Sequence, residues 1–225
     1  RATRLEQAES LRLGALLPLP IKAQRKSDIR KAFAMHVRDA CLRLHKDHAG
    51  LDPKSGKRIS FGIVRMANID PIIDVATELH RLGAPDGIRI HLCVYHARFP
   101  LVQRSAIEAM LDTVLNRRDA EAVWRNPTIR AAIDTSAEQE QLFVVLASPV
   151  CEVGRDWDTD WAVAEPSSMR AMIQLAGRVQ RHRRKAPQTA NVLVFETNLK
   201  HLEREQRHSP AFIRPGFESK DDRFR

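Results

Sequence analysis

The 225-residue sequence contains few cysteines, and they are not arranged as ligands or bridges. Cys41, Cys93 and Cys151 are odd in number and scattered, and no two of them have the C-x-x-C spacing. This excludes a disulfide framework and a cysteine zinc site, and it predicts reduced thiols, as in a cytosolic protein. His45 and His48 have no third ligand nearby in sequence, so we predict no metal site.

Long apolar runs are absent as well. No run approaches the ~20 residues of a membrane span, and the opening RATRLEQAES is charged and lacks the apolar segment of a signal peptide. We therefore expect a cytoplasmic protein without a membrane partner. Because the sequence begins without Met and ends in DDRFR, we also expect it to be part of a longer protein.

A phosphate-binding loop of the form G-x-x-x-x-G-K-[ST] is also lacking. The nearest candidate is GLDPKSGKRIS at 50–60, but Gly50 and Gly56 are one residue too far apart. Arg58 stands where Ser or Thr is needed, and a strand pattern follows instead of a helix. We interpret the segment as a turn rich in Gly and Pro.

The sequence does carry excess positive charge, with a formal net charge of +9 and a pI near 10.0. This balance favours a polyanionic partner, nucleic acid first. The alternative from charge alone is a solvated basic surface.

Hydrophobic periodicity predicts alternating strands and helices after an amphipathic helix over 28–45. The predicted strands are 60–66, 88–95, 142–147, 161–164 and 192–195, and the run LFVVLA at 142–147 is typical of a strand buried on both faces. The alternation predicts a doubly wound α/β sheet. Asp70-Pro71 is expected to cap the helix after the first strand, with Asp70 as N-cap. We expect a linker or arm at 1–27, one domain at 28–200 and a C-terminal extension at 201–225.

In open parallel sheets, ligands bind beyond the carboxyl ends of the strands. The segments in those positions carry basic, aromatic and hydrogen-bonding groups that suit single-stranded nucleic acid. The candidate residues are Arg65, Asn68, His96, Arg98 and Ser148. The next loop holds an E-x-G-x-D run, Glu152, Gly154 and Asp156, whose glycine can bring backbone amides close to a phosphate. Ordinary turn formation by Asp156 or Asp158 is the alternative.

The stretch IQLAGRVQRHRR places Gln174, Arg178 and Arg181 at spacings of four and three residues, so a helix would put them on one face. Two adjacent arginines repel each other and suit an anion, such as a polyphosphate, that lies between them. The alternative is a surface helix whose arginines pair with Glu152, Asp156 or Asp160.

Together these segments resemble the second RecA-like domain of superfamily 2 helicases. Motif V of that family has an E-x-G-x-D core, and motif VI is the helix Q-x-x-G-R-x-x-R, here Gln174, Gly177, Arg178 and Arg181. The segments SFGIVRMANI, VYHARF, EVGRDWDTDWAVAEPSSMR and IQLAGRVQRHRR are more closely similar to the CRISPR-associated helicase–nuclease of type I systems, type I-F in particular. The resemblance covers roughly residues 28–217.

The resemblance implies a RecA-like three-layer α/β fold with a mostly parallel central sheet. It implies a motor domain of an ATP-dependent translocase on single-stranded DNA that unwinds and degrades target DNA in antiviral defence. Arg178 and Arg181 would be arginine fingers, worth ~10³–10⁵ in rate, and Gln174 would orient nucleotide or water. Gly154 and Asp156 would couple nucleotide to DNA.

The same resemblance implies partners and a cofactor. Gly177, like Gly154 and Asp156, would belong to the nucleotide site, and the strand-end residues Arg65, Asn68, His96, Arg98 and Ser148 would contact DNA. The cofactor would be ATP with Mg²⁺, bound mainly by a first RecA-like domain. That domain, a nuclease domain of the same protein and a CRISPR RNA-guided surveillance complex would be the partners.

The sequence departs from the family pattern in two places: Leu175 stands where many relatives have arginine, and Ser148-Pro149 replaces Thr-Gln. The sequence also has no D-E-x-H box and no histidine–aspartate nuclease motif. We therefore do not expect this chain alone to hydrolyse ATP efficiently or to cut DNA. A non-catalytic basic nucleic-acid-binding module, or the equivalent domain of another superfamily 2 helicase, is the alternative function.

Overall fold

A seven-stranded sheet crosses the molecule in a computed structural model that describes residues 11–152 and 154–204. The strands are β1 (Gly14–Leu17), β2 (Gly50–Leu51), β3 (Arg58–Arg65), β4 (Ile88–Tyr95), β5 (Glu140–Ala147), β6 (Trp161–Ala164) and β7 (Val192–Phe195). The helices are α1 (Lys26–His48), α2 (Ile72–Leu82), α3 (Leu101–Val114), α4 (Ala122–Arg125), α5 (Pro127–Thr135), α6 (Met169–Ala176) and α7 (Leu199–Leu202). A 3₁₀ turn spans Pro149–Glu152.

The strands follow the order β1-β7-β6-β3-β5-β4, and β2 pairs with β3 outside this path. The β2–β3 pair is antiparallel, whereas all the other pairs are parallel. Helices cover both faces of the sheet, so the RecA-like three-layer α/β fold is confirmed.

Each face of the sheet has its own apolar core. On one face α1 and α2 pack against the sheet, and Phe33 of α1 lies 5.0 Å from Phe195 of β7 between ring centroids. On the other face α3, α5, α6 and the loop before β6 contribute the core, which includes the buried Trp157. β5 sends Leu146 into the first core and Val145 into the second, so the prediction of a strand buried on both faces is confirmed.

The carboxyl ends of the central strands lie level with one another. Arg65 at the end of β3 pairs with Ala147 of β5 and with Ala164 of β6, and Ala147 also pairs with Tyr95 of β4. The loops that follow these four strands are therefore neighbours along one edge of the sheet, as the parallel arrangement predicts.

The structure corrects two local predictions. Gly14–Leu17, which the sequence assigned to a linker or arm, is an edge strand parallel to β7, and α1 already begins at Lys26. Asp70 does not cap α2, because that helix begins at Ile72 behind Pro71 without a side-chain cap, and the carboxylate of Asp70 instead accepts from Arg98 Nη1 at 2.7 Å. Residues 205–225 of the extension predicted at 201–225 lie outside the described residues, as do the first ten residues. Within the described part of the chain, no helix is long and apolar enough to cross a membrane.

Candidate functional site

The loops after β4, β5 and β3 bring His96, Ser148 and Asn68 to the same edge of the sheet. The backbone N–H of Ser148 donates to the carbonyl of Tyr95 at 3.0 Å, which continues the ladder one step beyond the strands. Because neighbouring strands lie ~4.8 Å apart, the three loops span roughly 10 Å. His96 and Ser148 are buried, while Asn68 is half-buried. Three of the five predicted nucleic-acid residues thus form one row.

Arg98 lies beside this row and is exposed. Its only ion pair among the described residues is with Asp70, whose side chain is also exposed. Exposed pairs of this kind contribute little to stability, so the guanidinium can exchange partners at little cost.

Arg65 is only 1% exposed, so it is not positioned to contact nucleic acid directly. Its Nε donates to Glu152 Oε1 at 2.6 Å, Nη1 donates to the carbonyl of Glu165 at 2.9 Å, and Nη2 donates to Ser167 Oγ. These contacts use all three nitrogens of the guanidinium. Arg65 therefore ties the E-x-G-x-D loop to the segment that leads into α6.

The E-x-G-x-D loop turns at Gly154, where φ is +65°. That left-handed conformation favours glycine, and nothing lies within 4 Å of a Cβ built there. Asp156 then accepts from Arg118 Nη2 at 2.8 Å, His182 Nε2 at 3.1 Å and Arg181 Nε at 2.6 Å. The bond from Arg118, followed by those from the other two, lowers the pKa of Asp156 far below its usual value, so this carboxylate stays ionised.

The arginine motif does not lie on a single helix, contrary to our prediction. Helix α6 ends at Ala176, and Gly177 is its C-cap. After Gly177 the chain forms an isolated parallel bridge between Val179 and Thr159, with N–H···O bonds of 2.9 and 3.0 Å on either side. These bonds to a distant segment replace the next helical turn. Gln174 is therefore half-buried in α6, whereas both arginines lie beyond its end.

The bend nevertheless brings the arginines against the E-x-G-x-D loop. Arg178 is 7% exposed, and its Nη2 donates to the carbonyl of Glu152 at 2.7 Å. Its Nε is buried and has no hydrogen-bond partner among the described residues. Burial, followed by the charge of Arg181, lowers the pKa of Arg178. The two guanidinium groups are thus close enough to repel each other.

The alternative in which the arginines pair with nearby acids describes part of this geometry. Arg181 pairs with Asp156, but Arg178 bonds a backbone carbonyl and not a carboxylate. The Arg181–Asp156 pair is nearly half exposed on both sides and so is weakly stabilising.

A second set of acids, which the sequence interpretation named only as a possible turn former and a possible arginine partner, holds the arginine loop in shape. Asp158, fully buried, accepts the backbone N–H groups of Arg181, His182 and Arg183 at 3.2, 3.2 and 3.3 Å. The Arg183 side chain clamps the same carboxylate through Nε and Nη2, both at 2.9 Å. Asp158 therefore fixes the backbone from which Arg181 projects.

Asp160 continues this network into the sheet. It accepts from the backbone N–H of Phe61 at 2.6 Å, from Arg117 Nη1 at 3.0 Å and from Arg183 Nη1 at 2.5 Å. Arg117 and Arg118 lie beyond the end of α3 at Val114, and both bind acids of this loop. In the sequence, this network is indicated only by the spacing of its acids, D-x-D-x-D at 156–160, and of its arginines, R-x-x-R-x-R at 178–183.

Arg12 adds a further guanidinium near the motif. Its Nε donates to the carbonyl of Ala176, the last residue of α6, at 2.5 Å. Burial, and then the charge of Arg181, lowers the pKa of Arg12. Sequence reasoning missed it because Arg12 falls in the segment that was expected to be a linker.

Other features of the described chain fit a cofactor less well. No group of three or more His, Cys, Asp or Glu side chains that could hold a metal occurs among the residues described. A cavity of about 250 Å³ lies between the sheet and helices α3 and α5, but residues such as Phe61, Leu111 and Ile129 give it apolar walls that suit no triphosphate. The cationic groups beside the E-x-G-x-D loop are the described feature that fits a polyphosphate.

Residues 58–184 match the family model for the C-terminal region of the CRISPR-associated nuclease/helicase Cas3. A subtype I-F/YPEST Cas3 nuclease/helicase of Pseudomonas aeruginosa strain UCBPP-PA14 is 45% identical over 223 residues, which is 98% of this chain and 20% of the relative. The corresponding protein of Pectobacterium atrosepticum is 42% identical over 215 residues, 94% of this chain and 19% of the relative. The chain therefore spans about a fifth of the length of these relatives.

Solved structures of similar fold include T. fusca Cas3 with AMPPNP, with a TM-score of 0.59 and 21% identity over 89% of this chain and 19% of that one. A chain of a structure described as a CRISPR RNA-guided surveillance complex before nicking has a TM-score of 0.52 and 22% identity over 88% of this chain and 19% of that one. At these identities the likeness shows the shared fold.

Proposed function

Because the chain belongs to the family of Cas3 C-terminal domains of CRISPR-associated nuclease/helicases, we propose that it is the second motor domain of an ATP-dependent translocase on single-stranded DNA. In this proposal Arg178 and Arg181 are arginine fingers that act on a triphosphate held mainly by another RecA-like domain. The same domain contributes part of the DNA track used for unwinding and degradation of target DNA.

One observation carries the proposal: Arg178 and Arg181 leave the end of α6 and come together at the E-x-G-x-D loop. Arg178 approaches the carbonyl of Glu152, and Arg181 approaches Asp156. Asp156 offsets part of this positive charge but also binds Arg118 and His182. A polyphosphate supplies the further counter-charge that two neighbouring arginines favour. The buried, unpartnered Nε of Arg178 adds a donor that a phosphate oxygen satisfies.

The residues of this chain would act by orientation and charge. Arg181 exchanges its weak, exposed pair with Asp156 for phosphate oxygens, and Asp158 with Arg183 holds the backbone in place while it does so. Gly154 allows the loop to move, and Arg65 passes that movement between Glu152 and the segment before α6. In this way Gly154 and Asp156 couple nucleotide to DNA, with Gln174 and Gly177 nearby in α6 and at its cap.

The cofactor in this proposal is ATP with Mg²⁺, which supplies the phosphoryl group and neutralises its charge. The guanidinium groups of Arg178, Arg181 and Arg12 suit phosphate oxygens, whereas the described residues include no carboxylate cluster for the cation. The metal would therefore be held outside the described part of this chain. The sequence contains no phosphate loop, so we propose that this chain alone does not turn over ATP.

The carboxyl edge of the sheet supports the DNA part of the proposal. Asn68, His96 and Ser148 lie in a row with the exposed Arg98 beside them, and the buried Arg65 ends β3 at the same edge of the sheet. A nuclease domain of the same protein and a CRISPR RNA-guided surveillance complex complete the proposed set of partners.

The arginine-finger role is tested by Arg178→Ala in the full-length protein. Because such a group contributes ~10³–10⁵ in rate, we expect DNA-stimulated ATP hydrolysis to fall by roughly a thousandfold or more in a steady-state phosphate-release assay. Arg178→Gln keeps most of the buried volume and two N–H donors, so it guards against a loss that is due only to misfolding. The 225-residue chain alone serves as the blank.

Arg170→Ala is the matched control, since Arg170 is exposed on α6, the helix that leads to Arg178, and is outside the site. It should hydrolyse ATP within about twofold of the parent, as expected for a neutral surface substitution. Retained turnover in both Arg178 variants, with an unchanged melting temperature, would refute the finger role. Absence of any ATP dependence in the parent protein would instead favour a basic module that only binds nucleic acid.

A further inference from the structure

A stacked aromatic pair lies immediately after β4, at the edge of the row of strand ends. The rings of His96 and Phe99 are 4.2 Å apart between centroids and 8° from parallel. His96 is 7% exposed, whereas Phe99 is half-buried. Among the described residues no second ring stacks on Phe99. One face of the pair is therefore anchored in the protein while part of the phenyl ring remains accessible.

The hydrogen bonds of His96 define its tautomer. The backbone N–H of Arg98 donates to His96 Nδ1 at 3.2 Å, so Nδ1 is the acceptor. Burial lowers the pKa of His96, which keeps the ring neutral and places its proton on Nε2. That Nε2–H is buried and has no acceptor among the described residues. Buried donors are nearly always paired, so the geometry calls for an oxygen or nitrogen acceptor from elsewhere.

The surroundings indicate what kind of molecule supplies this acceptor. Leu101 and Val102 in the first turn of α3 are 68% and 82% exposed, which is unusual for large apolar side chains beside an aromatic stack. The same turn has no side-chain cap and no acidic residue. Its free N–H groups and the exposed guanidinium of Arg98 favour an anion.

An aromatic face, an apolar rim, a neutral donor and a cation within one short turn match one nucleotide of a single strand. Single-strand binding sites combine base stacking on aromatic side chains with a cationic path for the backbone. In a duplex, by contrast, the bases are already stacked on each other and leave no face for Phe99. An acidic peptide would use the cation but not the exposed phenyl ring.

We propose that Phe99 and His96 form a subsite for one unstacked nucleotide. The base stacks on Phe99 against the apolar rim of Leu101 and Val102, and an oxygen of the adjoining phosphodiester accepts from His96 Nε2–H. This inference rests on the proposed function, since it names how the single strand is held. It adds one stacked base to the strand-end contacts proposed for Asn68, Ser148 and Arg98.

The test uses the full-length protein and single-stranded oligonucleotides in which one 2-aminopurine is moved along the sequence. At one position we expect stacking to quench the probe, with the quench lost in Phe99→Leu and kept in Phe99→Trp. Phe99→Leu retains apolar volume and should fold, as its melting temperature will show. Its affinity should fall roughly 5- to 150-fold, the range for loss of one base–aromatic stack. Leu51→Ala, an exposed apolar residue of β2, should bind as the parent does.

An oligonucleotide with an abasic residue at the quenched position separates stacking from other effects. Phe99→Leu should bind it no more weakly than the parent protein does. His96→Asn keeps an acceptor at the Nδ1 position but removes the Nε2–H donor, so it should weaken binding of both oligonucleotides equally. A Phe99-independent quench, or an equal loss on the abasic strand, would overturn the subsite.

These results are distinct from failure of the proposed function. If the parent protein bound no single strand at all, the motor proposal and the subsite would both fall. The parent protein could instead bind tightly, and the Arg178→Ala variant could lose ATP turnover, while binding did not depend on Phe99. In that case only the subsite would be refuted.

Discussion

At the scale of single residues, buried polar groups form hydrogen-bond networks and not isolated pairs. One such network links helix α1 to the sheet near the start of β3. Trp161 Nε1 donates to Ser60 Oγ at 3.0 Å, the Ser60 hydroxyl donates to His45 Nδ1 at 2.8 Å, and His45 Nε2 donates to Glu140 Oε2 at 2.8 Å. An indole N–H can only donate, so Ser60 Oγ accepts from Trp161, and its own hydroxyl proton can go to Nδ1 of a neutral His45.

This arrangement predicts how stability depends on pH. Burial lowers the pKa of His45 in the folded protein, and the opposing effect of Glu140 is smaller. In the unfolded chain the pKa returns to about 6.5, so below that pH the unfolded state binds a proton that the folded state does not. The stabilising contribution of neutral His45 is thus complete above pH ~6.5 and declines as the pH falls below it.

The measurement is the free energy of unfolding from denaturant titrations at pH 7.5 and at pH 5.5. The parent protein should lose stability between these values, by up to ~1.4 kcal/mol per pH unit for this one proton. His45→Gln cannot titrate, so it should be less stable at pH 7.5 but show a smaller loss on acidification. Equal losses in the two proteins would contradict a neutral His45.

At the scale of elements, close packing between neighbouring strands decides which side chains fit. Gly62 of β3 faces Trp161 of β6, and a Cβ built on Gly62 would lie 2.2 Å from three atoms of the indole ring. Real Cβ atoms do not approach so closely. The indole is fully buried and is bonded to Ser60, so it has little freedom to move away.

Gly62→Ala is therefore expected to destabilise the sheet by about 3 kcal/mol, at the upper end of overpacking costs. Chemical denaturation of the purified variant measures this loss directly. Gly50→Ala is the control, because nothing lies within 4 Å of its Cβ and its backbone is not left-handed. The double variant Gly62→Ala/Trp161→Phe should lose less than the sum of the two single changes, since the clash is shared. An additive result would place the strain elsewhere.

At the scale of the whole molecule, the level strand ends put the proposed DNA contacts at one edge of the sheet. Arg98 lies just past the end of β4, while Arg89 lies near its beginning and is also exposed. The two residues have the same charge and belong to the same strand and its continuation. They are therefore a matched pair for asking whether binding is local or a general effect of the net charge of +9.

We expect the chain to bind a single-stranded oligonucleotide more weakly as salt is added. The logarithm of its association constant should fall linearly with the logarithm of the salt concentration. Arg98→Ala should reduce the slope by about 0.7, the value for one phosphate contact on a single strand, and Arg89→Ala should leave it unchanged. Fluorescence anisotropy over a series of salt concentrations gives both slopes. Equal reductions would indicate that the basic surface binds without a defined track.

The sequence by itself determined most of the sheet. Apolar runs predicted the strands 88–95, 161–164 and 192–195 with the bounds that the structure has, because burial of a strand is recorded locally in its side chains. The residue types and their spacing likewise identified the E-x-G-x-D loop and the arginine motif. The family resemblance drawn from those segments is confirmed.

Only the tertiary structure decided which partners these residues meet. β1 joins the sheet through β7, almost 180 positions away in the chain, and the bridge of Val179 to Thr159 ends a helix that local periodicity would have continued. Arg65 is buried because Glu152, Glu165 and Ser167 surround it, although its position after a strand suggested an open site. Periodicity reports whether a residue is buried, but pairing between distant segments is set by the packing of the whole chain, and that packing carries the arginines to their loop.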